Sequence, residues 1–140
     1  MTGYLRITAT FLDSCFHGRR DGDEPEWPPS PLRLFQALVA ASAGRWNQRT
    51  DLTHALLALQ WLEARPQPEI VAPAGMVSTV KCQFYVPNNT ADLLVSAWKK
   101  GEITRQVKRT EKVICPTHLD GNVVHYLYVL PNGECPYIDV

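Results

Sequence analysis

The chain carries no excess charge of either sign: 14 Lys and Arg balance 14 Asp and Glu over 140 residues. Read as a total, that balance argues against a nucleic-acid partner. No apolar run approaches the roughly 20 residues that a helix needs to span a bilayer. The opening Met1-Thr-Gly-Tyr-Leu-Arg6 has no basic stretch leading into an apolar one. No signal peptide is therefore expected, and a cytoplasmic protein without membrane contact is the expectation. Paired cysteines are missing too. Cys15, Cys82, Cys115 and Cys135 stand far apart, which excludes a dense disulfide framework and leaves reduced thiols. Cys115-Pro-Thr-His118 alone has metal-ligand spacing, with Cys135 as a third candidate. Without a second tight pair no zinc site is expected, nor any other cofactor. The chain lacks a Walker loop, G-x-G-x-x-G and H-E-x-x-H, so nucleotide hydrolysis and zinc proteolysis have no support.

What is present reads as one globular domain over residues 1–140, with 45% hydrophobic residues and mixed α and β elements. Tyr4 to Leu12 is β-branched and aromatic, with Leu5, Ile7, Ala9 and Phe11 on one face of a strand. His17 to Glu26 is a polar loop broken by Gly, Pro and Asp. A helix follows Trp27-Pro-Pro-Ser-Pro31, with Ser30 as cap, Pro31 at its first position and Gly44 as terminator. Its expected buried stripe is Leu32, Phe35, Leu38 and Val39. A second helix is expected from about Leu52 to Ala64, capped by Asp51 and stopped by Pro66. Glu69 to Ala72 and Val77 to Val86 read as strands, separated by Pro73-Ala-Gly75. Val123 to Leu130 reads as a strand covered on both faces, because its apolar run is nearly continuous.

Between the last two strands lie 36 residues, Pro87 to Asn122, too many for an ordinary connection. Over the fourteen residues 99–112 within them, Lys99, Lys100, Arg105, Lys108, Arg109 and Lys112 face only Glu102 and Glu111, leaving +4. Asp21, Asp23, Glu24 and Glu26 put −4 into residues 21–26 of the earlier loop. Neutrality is thus a sum of two opposite patches, and it excludes nothing.

Six cations on a long insertion suit a phosphate backbone, with Tyr85 and Trp98 near its base placed to stack on unpaired bases. A merely solvated basic loop is the plain alternative. An endoribonuclease is another, with His17 beside Arg19 and Arg20 as candidate general acid or base. His125, in a covered strand, reads as a hydrogen-bonded core histidine, and His54 and His118 have no partner legible in sequence. A third reading is a protein-interaction module whose acidic loop and basic insertion dock oppositely charged neighbours. The prolines of the Trp27 to Pro31 run are assigned a structural role, and Arg33 either a phosphate contact or an exposed helix face.

The run Glu26-Trp-Pro-Pro-Ser-Pro-Leu-Arg-Leu-Phe-Gln-Ala-Leu-Val-Ala40 resembles the start of the Csb-two family, the fused Cas-five/Cas-six subunit of type I-U (I-G) CRISPR systems. Leu59-Gln-Trp-Leu-Glu-Ala64, Tyr85-Val-Pro-Asn-Asn89 and Val123-Val-His-Tyr-Leu-Tyr128 agree with that resemblance. It implies an α+β, ferredoxin-like antiparallel sheet with helices on one face and a thumb inserted at about 87–122. It implies binding to the 5′ handle of the crRNA within Cascade, beside a Cas-seven-type backbone subunit and a Cas-eight-type large subunit, with target DNA met indirectly. Under it, Arg105, Lys108, Arg109 and Lys112 become the leading RNA contacts, while Trp27, Pro28, Pro29 and Arg33 position the first helix. Family members are longer, so the resemblance further implies that this chain is truncated, split or only partly represented, without the closing part of the domain and the Cas-six-like half that holds the nuclease activity. The remainder of its own chain is then also a partner.

Overall fold

The computed structural model describes residues 3–44, 49–87 and 109–138. In chain order the elements are β1 (Gly3–Thr10), β2 (Cys15–Phe16), a 3-10 turn (Asp21–Asp23), α1 (Pro31–Gly44), α2 (Arg49–Glu63), β3 (Glu69–Val71), β4 (Gly75–Val77), β5 (Cys82–Pro87), β6 (Arg109–Ile114), β7 (Thr117–Leu119) and β8 (Val123–Leu130). The strands form three antiparallel groups, ordered β1-β8-β3, β2-β7-β4 and β5-β6. With the two helices they make a mixed α+β fold. Among the described residues no helix is long and apolar enough to cross a membrane.

Period-two patterning builds the main sheet. β1 and β8 pair over their full lengths, Gly3 opposite Leu130 and Thr10 opposite Val123. Val124, Tyr126, Tyr128 and Leu130 are buried on one face of β8. Leu62 of α2 is buried against them, and Leu5, Ile7, Ala9, Phe11, Leu34 and Phe35 pack around. Side chains of these sizes each contribute about 1.5–3 kcal/mol when fully buried. The opposite face of β8 corrects the expectation of two covered faces. Val123, His125 and Leu127 are half-buried and Val129 is 42% exposed, because the helices lie on the other side. His125 is accordingly no core residue, although its Nδ1 does hydrogen-bond Thr8 Oγ1 at 2.9 Å.

The helices depart from expectation in phase. α1 ends at Gly44 as read, but its inward residues are Leu34, Phe35 and Leu38, with Leu32 64% exposed. The true stripe, at i, i+1 and i+4, is rotated from the one that Leu32 and Val39 suggested. α2 starts at Arg49, so Asp51 lies inside its first turn instead of capping it.

The expected strand from Val77 to Val86 is two strands. β4 pairs with β7, Met76 opposite His118 and Val77 opposite Thr117. The chain then turns through 78–81, and β5 begins at Cys82. The expected insertion is also shorter at its far end. Pro116 and Thr117 are buried and β7 belongs to the body, pairing with β2 on its other side.

Gly75, at the start of β4, lies where the small sheet meets the Trp27 ring. A Cβ there would stand 2.6 Å from Trp27 Cδ1 and 2.8 Å from Thr117 Cγ2. Gly75→Ala is expected to cost about 1–3 kcal/mol through overpacking, read as a lower urea midpoint at unchanged slope.

Candidate nucleic-acid interface

Two local constructions set up the interface. One is a knot around the proline run; the other is a two-stranded ribbon.

The knot begins with Trp27. Its indole ring meets Phe11 and Phe16, each at 5.6 Å between centroids, and its Nε1 donates to the Pro73 carbonyl at 2.9 Å. The following Trp27–Pro28 bond is cis. Tyr126 of β8 donates its hydroxyl to the Pro29 carbonyl at 2.9 Å. Burial above all, with Tyr128 and Glu26 beside it, pushes the Tyr126 hydroxyl up to about 12. The hydroxyl therefore keeps its proton, and its donor role, at neutral pH. Glu26 is only 5% exposed. Its carboxylate pairs with Arg33 Nε and accepts the Ser30 amide at 2.9 Å. Burial raises the Glu26 pKa, but the Arg33 guanidinium and the Ser30 donors outweigh it and hold the carboxyl below its ordinary value. Arg33 also donates from an Nη to the Arg19 carbonyl at 2.6 Å.

The Trp-Pro-Pro-x-Pro-x-Arg pattern thus ties the polar loop, α1 and the main sheet together. Trp27, Pro28, Pro29 and Arg33, the residues expected to position α1, all lie in this knot, and Arg33 makes an ion pair with Glu26 there.

The same contacts use up part of the acidic loop. Glu26 is held by Arg33, and Asp23 pairs with Arg19 at 2.8 Å. Asp21 and Glu24 are its remaining exposed carboxylates.

The ribbon is β5 with β6, strands that pair with each other from Cys82 opposite Ile114 to Pro87 opposite Arg109. β4 feeds β5 through four residues and β6 returns to β7 through two, so both legs rise from the small sheet. Directly opposed residues share a face, which sorts the sequence candidates. Lys112 is exposed and shares its face with Phe84, whereas Tyr85, 57% exposed, lies opposite Glu111. Tyr85, the expected stacking aromatic, and this cation are therefore on opposite faces. Gln83 hydrogen-bonds the Glu111 carboxylate across the strands. Arg109 holds the register position opposite Pro87, at the distal end. Trp98, Lys99, Lys100, Arg105 and Lys108 lie outside the described residues, between the two strands in sequence.

His17 is exposed and meets Phe84 edge-on at 5.6 Å, at the root of the ribbon. Phe84 was not singled out in sequence; only the register shows that it shares a face with Lys112. The Cys115–His118–Cys135 grouping is not assembled. All four cysteines are free, and among the described residues no three His, Cys, Asp or Glu side chains gather as metal ligands. His118 instead faces Cys15. A cavity of about 710 Å³, lined by Tyr4, Trp61, Arg65, Leu130, Asn132 and Cys135 among others, includes none of the RNA-binding or catalytic candidates. Arg65 stacks over Trp61 at 4.7 Å beside it.

Comparison with known families places residues 4–138 under one family model, that of the CRISPR-associated protein, GSU0054 family. No curated protein matches the chain, and no solved structure does.

Proposed function

The chain belongs to the CRISPR-associated GSU0054 family, and on that premise we propose that it is a guide-RNA-binding subunit of a type I CRISPR effector complex. A role in CRISPR–Cas defence follows from the family. The finer reading is that this is a Csb-two-like, Cas-five-type domain with a ferredoxin-like sheet. It holds the 5′ handle of the crRNA in the cytoplasm and touches the Cas-seven-type backbone subunit and the Cas-eight-type large subunit.

One observation carries the reading. The residues that hold most of the positive charge, 99–108, lie in sequence between the two strands of a separate ribbon, and Arg109 and Lys112 belong to its returning strand. A ribbon of this kind brings a row of cations to a polyanion while its root stays fixed to the body. The protein-docking alternative is weakened by the internal pairing of Asp23 and Glu26.

The test is a binding titration with CRISPR repeat RNA in EDTA. Replacing Arg105, Lys108 and Arg109 together by Glu is expected to weaken binding by about 100-fold or more, since three phosphate contacts become repulsions. The RNA should be recovered uncut. Unchanged affinity in the triple variant would sink the reading, and cleavage lost in His17→Ala would replace it with the nuclease.

A further inference from the structure

The two aromatic residues of β5 stand on opposite faces of the ribbon, and their surroundings differ. Phe84 lies opposite Lys112, and Thr110 follows on the same face, which carries no acidic residue. Tyr85 lies opposite Glu111, whose carboxylate Gln83 engages; Arg109 belongs to that face as well, next in line beyond the acid. Phe84 is 40% exposed, although burying a ring of its size is worth about 1.5–3 kcal/mol. The ring is also braced. His17, exposed on the polar loop, meets it with 5.6 Å between centroids and 84° between planes. In an edge-on pair one ring presents only its rim, so at least one face of Phe84 is left clear of His17.

We propose that Phe84 is the platform on which an unpaired base of the bound RNA stacks, with His17 bracing the ring and Lys112 meeting the adjoining phosphate. The proposal rests on the RNA-binding reading above and names the side of the ribbon that the strand follows. An aromatic face accepts any base, because every base has a π face, and it needs that base unpaired. The ligand class is therefore single-stranded RNA without a strict sequence. Opposed residues have Cβ atoms about 4.5–5.5 Å apart, and a lysine stem lies along an apolar neighbour while its ammonium stays in water. That places one cation at the rim of the stacked base, where its phosphate runs. A base on Tyr85 would instead bring its phosphate to Glu111. An exposed ring can also serve a protein neighbour, but a face with a cation and no carboxylate favours a polyanion.

His17 acts here through Phe84. A ring that is already held loses little rotamer freedom when the base arrives. His17 is thus a positioning residue, and the role needs no proton transfer.

The test titrates the whole chain with an oligoadenylate and with an abasic ribose-phosphate strand of equal length. The parent is expected to prefer the oligoadenylate by roughly tenfold, within the range for one base stacked on an aromatic side chain. Phe84→Leu keeps an apolar side chain and removes the π face. It should lose most of that preference while its affinity for the abasic strand stays parental, which shows the ribbon and its cations intact. Phe84→Trp should keep the preference or raise it, and Tyr85→Leu should leave it unchanged. His17→Ala should weaken oligoadenylate binding alone, by roughly threefold, the worth of one aromatic pair, and His17→Phe should restore it. No affinity for either strand overturns the RNA-binding reading itself. Equal parental affinity for the two strands overturns the platform and leaves that reading standing, as does a preference that vanishes in Tyr85→Leu or in Phe84→Trp. A Phe84→Leu chain that binds both strands as the parent does overturns it too, and leaves the ring to a protein neighbour.

Discussion

Trp27→Ala is expected to destabilise the chain by about 3–5 kcal/mol, the usual cost of deleting a large aromatic from a packed site. Trp27 is half-buried, yet it joins three parts of the molecule. Its ring is wedged against Phe11 and Phe16, its Nε1 serves the Pro73 carbonyl, and it lies against Gly75. Removal opens a cavity between the two sheets and strips the Pro73 carbonyl of its donor. Because β4 leads directly into the ribbon, the loss should also appear as faster amide exchange through 75–84, beyond the site of mutation. Urea unfolding with exchange mass spectrometry checks both parts. A loss below about 1 kcal/mol, the worth of one ordinary hydrogen bond, would mean that the ring is not the wedge described.

The second large effect is electrostatic. Arg33→Ala leaves the Glu26 carboxylate buried and unpaired, for which about 3 kcal/mol is expected at neutral pH; removing one partner of a buried pair costs about 3–5, and Arg33 is itself partly exposed. The pH dependence has a definite sign. Glu26 is held below its ordinary pKa when folded, so its stabilisation is complete above the usual carboxylate range and is lost as pH falls through the folded value. In Arg33→Ala only burial and the Ser30 donors remain, the carboxyl shifts upward, and protonation relieves the cost. The gap between parent and variant should therefore narrow on acidification, from its full size near pH 7 to a small remainder near pH 4. Thermal denaturation over that range measures it. A pH-independent gap would mean that Arg33 acts through packing alone.

Local patterns were legible and long-range pairings were not. β1 and β8 could be read because alternation of side chains is a property of the strand itself, and the ends of α1 because Pro31 and Gly44 punctuate it. The split between β4 and β5 was not legible, since nothing between Val77 and Val86 shows that Met76 and Val77 pair with Thr117 and His118, 40 residues on. For the same reason the body resumes at Cys115 instead of after Asn122. Glu26 was counted as one acid among four in a polar loop. Its burial arises only when Arg33, one helical turn into α1, folds back over it. The basic cluster was plain in composition. The pairing of its legs into a ribbon, which separates Tyr85 from Lys112 by face, needed the register.

The account rests most heavily on the ribbon's cations meeting phosphates, and the salt dependence of RNA binding tests that most directly. Affinity for single-stranded repeat RNA, measured from low to high potassium chloride, should fall along a log–log slope of about −3 if four phosphates are neutralised, at roughly −0.7 per contact. The Arg105, Lys108 and Arg109 charge reversal should flatten that slope. An affinity that does not change with salt would contradict the account.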